Sequence, residues 1–226
     1  MNLSGFSFPY CLYALEQGLG DVGRLLQVAP PGAATETRRS AEAVYRAAVI
    51  LTCAAWEAYL EDLALDALLR VAARYRNGES LSAAAQEVAA RTSRQIDLAG
   101  IQWQDSRAVQ TQRNVLLGPF NTPKATNTDN LFQKALDLER LSSSWRWKRV
   151  SAKESARQLD TLVTLRGDIA HRKKGLHRVR KQAVVGHVTL IERLGVLSSN
   201  RVRHWLLDAV GTSPVGWDEV PMRAVA

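Results

Sequence analysis

The chain has 226 residues, of which 46% are hydrophobic and 23% charged. That composition suffices for one good-sized domain with a real core, and it excludes a disordered chain, a collagen and a disulfide-knitted miniprotein. Thirty Lys+Arg against 22 Asp+Glu leave a formal net charge of +8. The excess is uneven: residues 151–226 hold 13 basic against 7 acidic side chains, and residues 1–150 hold 17 against 15. An anionic partner is therefore expected to meet the last third of the chain.

Helical signals dominate in chain order. Residues 8–28 read as a first helix, weakened by Gly18, Gly20 and Gly23, since glycine disfavours helix interiors. A loop at Pro30, Pro31 and Gly32 follows. Residues 37–76 carry an apolar stripe at Val49, Cys53, Trp56, Leu60, Leu63 and Ala67. Alternating steps of four and three mark one face of a helix, and Asn77-Gly78 is a strong stop. Residues 80–99 read as a third helix with Ser80 at its N-cap. Residues 100–150 read as an elaborated connection within the same domain: turn formers over 118–130, a short helix capped by Thr128 or Asp129, then an aromatic segment with Trp145 and Trp147. The helical pattern returns over 152–173 and ends at Gly175. A last helix spans 179–207, and residues 211–226, with Pro214, Gly216 and Pro221, read as a loose tail. The expected architecture is a single all-α domain over residues 1–210, an antiparallel helical bundle.

Cys11 and Cys53 are too few and too far apart for a disulfide framework or a CxxC zinc site, and read as small buried apolar side chains. Residues 1–20 lack the basic and long apolar regions of a signal peptide, and the greasiest run, residues 47–56, is about half of the roughly twenty residues a membrane span needs. A soluble, cytoplasmic protein without membrane contact is expected. No phosphate-binding loop, HExxH or GxSxG is present, and His171, His177, His187 and His204 lack metal-ligand spacing. Neither a metal nor another cofactor is expected.

The densest polar cluster is Arg166-Gly167-Asp168-Ile169-Ala170-His171-Arg172-Lys173-Lys174. Its basic end has a structural reading, since cations in a last helical turn complement the helix dipole. Its chemical reading is a phosphate-binding surface continued by His177, Arg178, Arg180 and Lys181. Arg166 supplies a fixed fork of donors for a phosphodiester, and His171 supplies proton transfer near neutral pH. Together they suit RNA cleavage by the ribose 2′-OH without a metal. Five residues of ideal helix separate the two side chains by about 140°. Either the helix ends before His171, or Gly167 distorts it, or a second subunit completes the site. Glu57 on the second helix reads as a solvated carboxylate or as a partner orienting Arg166 or His171 across the bundle, and Asp168 has the same two readings.

The segment LVTLRGDIAHRKKG (residues 162–175) resembles the RxxxxH motif of the HEPN superfamily, all-α domains found in many prokaryotic RNases and toxins. ILTCAAWEAYLEDL (50–63), GPFNTPKATNTDNLFQKAL (118–136) and SWRWKRV (144–150) resemble successive segments of its RiboL-PSP-HEPN subset. The resemblance covers residues 40–195. It implies a bundle that dimerises with its motif helices face to face, and metal-independent endoribonuclease activity in toxin or antiphage roles. Arg166 and His171 are then the catalytic pair, Asp168 and Glu57 support them, and Arg172, Lys173, Lys174, His177 and Arg178 bind RNA. The sequence departs from the family at Gly167, where a polar residue usually follows the Arg, and at Arg172, where a small residue often follows the His. Two functions follow as expectations. One is a dimeric endoribonuclease. The other is a catalytically silent module that binds RNA or a partner protein, such as an antitoxin or another defence component.

Overall fold

The computed structural model describes residues 7, 9–30, 35–95, 114–171, 178–211 and 216–222. Its main elements among the described residues are α1 (Tyr10–Gln27), α2 (Thr35–Arg76), α3 (Ala83–Gln95), α4 (Ala125–Leu136), the 3-10 turn Leu141–Ser144, α5 (Ala152–Ala170) and α6 (Lys181–Val210), and residues 114–117 are helical as well. Among the described residues there is no strand, only an isolated bridge between Trp147 and Val150. The all-helical bundle expected from the sequence is the fold.

The 42-residue α2 organises the bundle and packs against α1, α3, α4, α5 and α6. Its predicted stripe is its buried face: Val49, Cys53, Trp56, Leu60, Leu63 and Ala67 are all shut off from solvent. At its centre Trp56 stacks on Tyr59 (5.5 Å between rings) and meets the edge of Trp145 (6.0 Å). Such aromatic pairs add specific geometry to a large buried area. Their polar atoms are satisfied inside the core. Tyr59 donates to the Gly195 carbonyl (2.6 Å), and Trp145 Nε1 donates to Ser198 Oγ (2.9 Å). Trp147 is partly buried beneath the Arg193 guanidinium. Trp145 and Trp147 thus serve packing, while Trp103 lies outside the described residues. Both cysteines are buried and unpaired with each other, as expected.

Several boundaries differ from the sequence reading for identifiable reasons. The third helix begins at Ala83, with Ser82 Oγ rather than Ser80 accepting from the Ala85 N–H (3.4 Å). The helix expected to start at Thr128 or Asp129 starts one turn earlier, at Ala125. Its start is served from another helix: Asp160 of α5 accepts from the Ala125 N–H (3.0 Å). Asp129 instead takes the Ser142 N–H and hydroxyl, both at 2.7 Å, and holds the 3-10 turn. α5 opens with Ser151 accepting from the Glu154 N–H (3.2 Å), a capping arrangement written in S-x-x-E. The loose tail expected over 211–226 does not describe residues 216–222. Trp217 and Val220 are buried, and Trp217 Nε1 donates to Ser199 Oγ (3.0 Å). Asn200 both donates to and accepts from the Val220 backbone (2.7 and 3.0 Å). Periodicity misses such a segment because its order comes from a single aromatic anchor and side-chain capture of its backbone.

Candidate active site

α5 carries Arg166 near its C-terminal end. The helix runs unbroken through Gly167 to Ala170, and His171 is its C-cap, with its N–H donating to the Gly167 carbonyl (3.0 Å). Gly167 therefore causes no distortion, and helical hydrogen bonding continues into His171. The angular separation of about 140° between the two motif side chains persists.

Arg166 is anchored from two directions. Its Nη2 stands 3.8 Å from Glu57 Oε2 on α2, and its Nη1 donates to the Asn121 carbonyl at 3.5 Å. The guanidinium keeps about a third of its surface open to solvent, with 34% side-chain exposure. Glu57 is more enclosed, at 23%, and its Oε2 is buried with no hydrogen-bond partner, since the guanidinium lies beyond hydrogen-bond reach. Burial raises the Glu57 pKa above the ordinary glutamate value, and Arg166 pulls against that rise. Cys53, one turn before Glu57, lies under the same field. Burial pushes its thiol up to about 12; Arg166 opposes the shift and Glu57 adds to it. This thiol is held inert as a packing group.

The segment between Gly118 and α4 is fixed by the same two helices. Gly118 adopts the left-handed conformation (φ +72) that lets the chain turn. Trp56 Nε1 donates to the Pro123 carbonyl (3.2 Å), and Asp160 takes the Ala125 N–H. At the other end of α4, Arg91 of α3 donates to the Lys134 and Ala135 carbonyls (2.7 and 3.0 Å). The carbonyl of Asn121 thus reaches Arg166 from a strap tied down by α2 and α5. Neither Asn121 nor Asp160 was singled out by the sequence reading. A backbone acceptor has no side-chain signature, and Asp160 bonds a partner 35 residues away.

The remaining predicted site residues are placed as follows. His171 is exposed at the end of α5, and Arg178 is exposed just before α6. Asp168 lines a groove of about 670 Å³ along α5 with Lys153, Arg157 and Asp160. Arg172, Lys173, Lys174 and His177 lie outside the described residues. His187, on α6, is partly buried, and burial lowers its pKa. His204 Nε2 faces Glu219 at 3.4 Å. Among the described residues no three His, Cys, Asp or Glu side chains cluster as metal ligands, and no helix is long and apolar enough to cross a membrane.

The all-helical bundle with Arg166 and His171 at the end of α5 is consistent with a HEPN-type domain. The chain belongs to the RiboL-PSP-HEPN family, whose model matches residues 27–195. No curated protein and no solved structure matches the chain significantly.

Proposed function

We propose that this protein is a metal-independent endoribonuclease that works as a symmetric dimer, in a toxin or antiphage role. The observation that carries the reading is the anchoring of Arg166. A guanidinium 3.8 Å from a carboxylate and 3.5 Å from a backbone carbonyl, with about a third of its side chain open to solvent, keeps donors available for a phosphodiester. In this reading His171 takes the proton of the ribose 2′-OH. O2′ forms a bond to the neighbouring phosphorus while the bond to the 5′-oxygen breaks, and the leaving oxygen takes up a proton. The products are a 2′,3′-cyclic phosphate and a free 5′-OH. Arg166 stabilises the charge that builds on the phosphoryl oxygens.

The continuous helix supports the dimer. Arg166 and His171 point away from each other on one chain, so an Arg166 from one protomer and a His171 from its partner make the simpler shared site. The exposed Arg178, Arg180 and Lys181, with the basic residues 172–174, hold the RNA backbone.

The test is incubation of the purified protein with total tRNA and mixed-sequence RNA in EDTA, followed by analysis of product ends. Fragments ending in 2′,3′-cyclic phosphate, absent with folded His171→Ala, are expected. Mixing Arg166→Ala with His171→Ala should restore part of the activity, because a mixed dimer retains one intact Arg/His pair. Absence of cleavage by the wild-type protein, with RNA binding retained, would replace this reading with that of a silent binding module.

A further inference from the structure

A second cavity, of about 450 Å³ and open to the surface, is lined by Asn121, whose carbonyl accepts from Arg166. Its walls are the strap before α4 and one stripe of α4 itself, at Asn127, Asn130, Leu131 and Lys134. Spacings of three, one and three place these side chains on one helix face. The strap side supplies Pro119, Phe120 and Asn121. Asn121 is the junction: its residue lines the cavity while its carbonyl accepts from Arg166. A nucleotide whose phosphate sits on Arg166 would therefore have this cavity within reach of its neighbouring base.

The chemistry of the walls suits a base. Phe120 and Pro119 form an apolar side, and Phe120 is itself buried, so the cavity floor is set before any ligand arrives. Asn121 and Asn130 line the cavity and are exposed. A carboxamide offers a donor and an acceptor side by side, the pattern that reads a nucleobase edge. Asn127 is committed to the fold, donating to the Thr122 carbonyl at 2.8 Å, and it fixes the strap against α4. Lys134 donates to the Leu117 carbonyl at 3.3 Å and leaves a positive charge at the far end of the cavity. A base between an apolar wall and carboxamide donors, with cations on either side for the flanking phosphates, is the arrangement by which single-stranded RNA is read.

The geometry points to this cavity as a base-reading subsite: one unstacked nucleobase of single-stranded RNA inserts between the strap and α4, beside the phosphate held by Arg166, and Asn121 and Asn130 select it. This deepens the ribonuclease reading and rests on it for the identity of the ligand. The cavity decides where an RNA is engaged; Arg166 and His171 decide whether it is cut.

The test separates the two. Wild-type protein, Asn130→Ala, Asn121→Ala and the control Gln182→Ala (exposed on α6) are titrated with four 2′-O-methyl hexanucleotides that differ at one central base. These probes lack the attacking hydroxyl, so binding is read without cleavage. Wild type and the control should prefer one base by about tenfold. Asn130→Ala and Asn121→Ala should flatten that preference to within about twofold while binding the disfavoured probes as wild type does. Equal binding of all four probes by wild type would overturn the subsite, as would an unchanged preference in both Asn variants. Cleavage of the matching 2′-hydroxyl RNAs is scored in parallel. Base preference without cleavage would sink the nuclease and keep the subsite; cleavage without base preference would do the reverse.

Discussion

Replacing Glu57 by Gln separates what the Arg166/Glu57 pair does for stability from what it does for the site. At 3.8 Å, two unit charges at an effective dielectric of about 20 attract by roughly 4 kcal/mol. The carboxylate surrenders much of its hydration in exchange, and its buried Oε2 gains no hydrogen bond. Burial outweighs the pull of Arg166, because the Glu57 pKa stands above its ordinary value. The folded protein therefore binds this proton more tightly than the unfolded chain does. By linkage, the contribution of Glu57 to stability falls as pH rises from the ordinary glutamate range through the raised folded value, and the cost is fully present above it. Glu57→Gln removes that dependence at almost constant shape. Its net effect at pH 7 should lie within about 1 kcal/mol of zero, with the variant gaining on wild type as pH rises from about 4 to 7. Urea denaturation of both proteins across that range measures it. Cleavage should move differently: a guanidinium released from its restraint should lose activity by about one to two orders of magnitude. A loss of stability above about 2 kcal/mol at pH 7, or a variant that loses ground to wild type as pH rises, would refute the reasoning, since either would make the charged pair a net support of the fold.

Three further outcomes follow from particular contacts. A Cβ at Gly195 would stand 2.5 Å from Leu15 Cδ2, in the close approach of α1 to α6, so Gly195→Ala should cost about 1–3 kcal/mol in urea unfolding; a neutral result would mean that Leu15 finds another rotamer in a tight core. Asp160→Ala removes the acceptor at the start of α4 and should cost about 0.5–2 kcal/mol. Amide exchange should quicken across residues 118–126 more than in α3, and equal quickening everywhere would show that the strap is not an independent unit. Gly167 lies inside α5 with open space where a Cβ would stand, so Gly167→Ala should raise stability by about 0.5–1 kcal/mol in a thermal melt, and a destabilised variant would show that the helix needs glycine there.

The contrast between Glu57 and Asn121 shows which parts of the site were legible in the chain. Glu57 adjoins Trp56, whose stripe faces the core, so the sequence leaves it either as a solvated carboxylate at the helix edge or as a partner for a cation across the bundle; in the fold it stands 3.8 Å from Arg166. The stripe, the stop at Gly78 and the all-helical class come from the same period and were readable for the same reason. The start of α4 was not, because its acceptor is Asp160 on another helix, and Thr128 and Asp129, the two expected caps, lie inside the helix. The packed 216–222 segment was hidden likewise: its order depends on Asn200 and Ser199, which carry no sign of it in their own neighbourhood. Arg166 falls between these cases. Its motif was plain, but the carbonyl that approaches it, at 3.5 Å, lies 45 residues away in the chain. A site assembled from a helix end, a carboxylate on a second helix and a carbonyl on a strap is stiff only when all three elements are docked. On the proposed ribonuclease reading, that coupling would make the strap a determinant of the chemistry at Arg166 and would place a base held in the adjoining cavity under the same control as the phosphate.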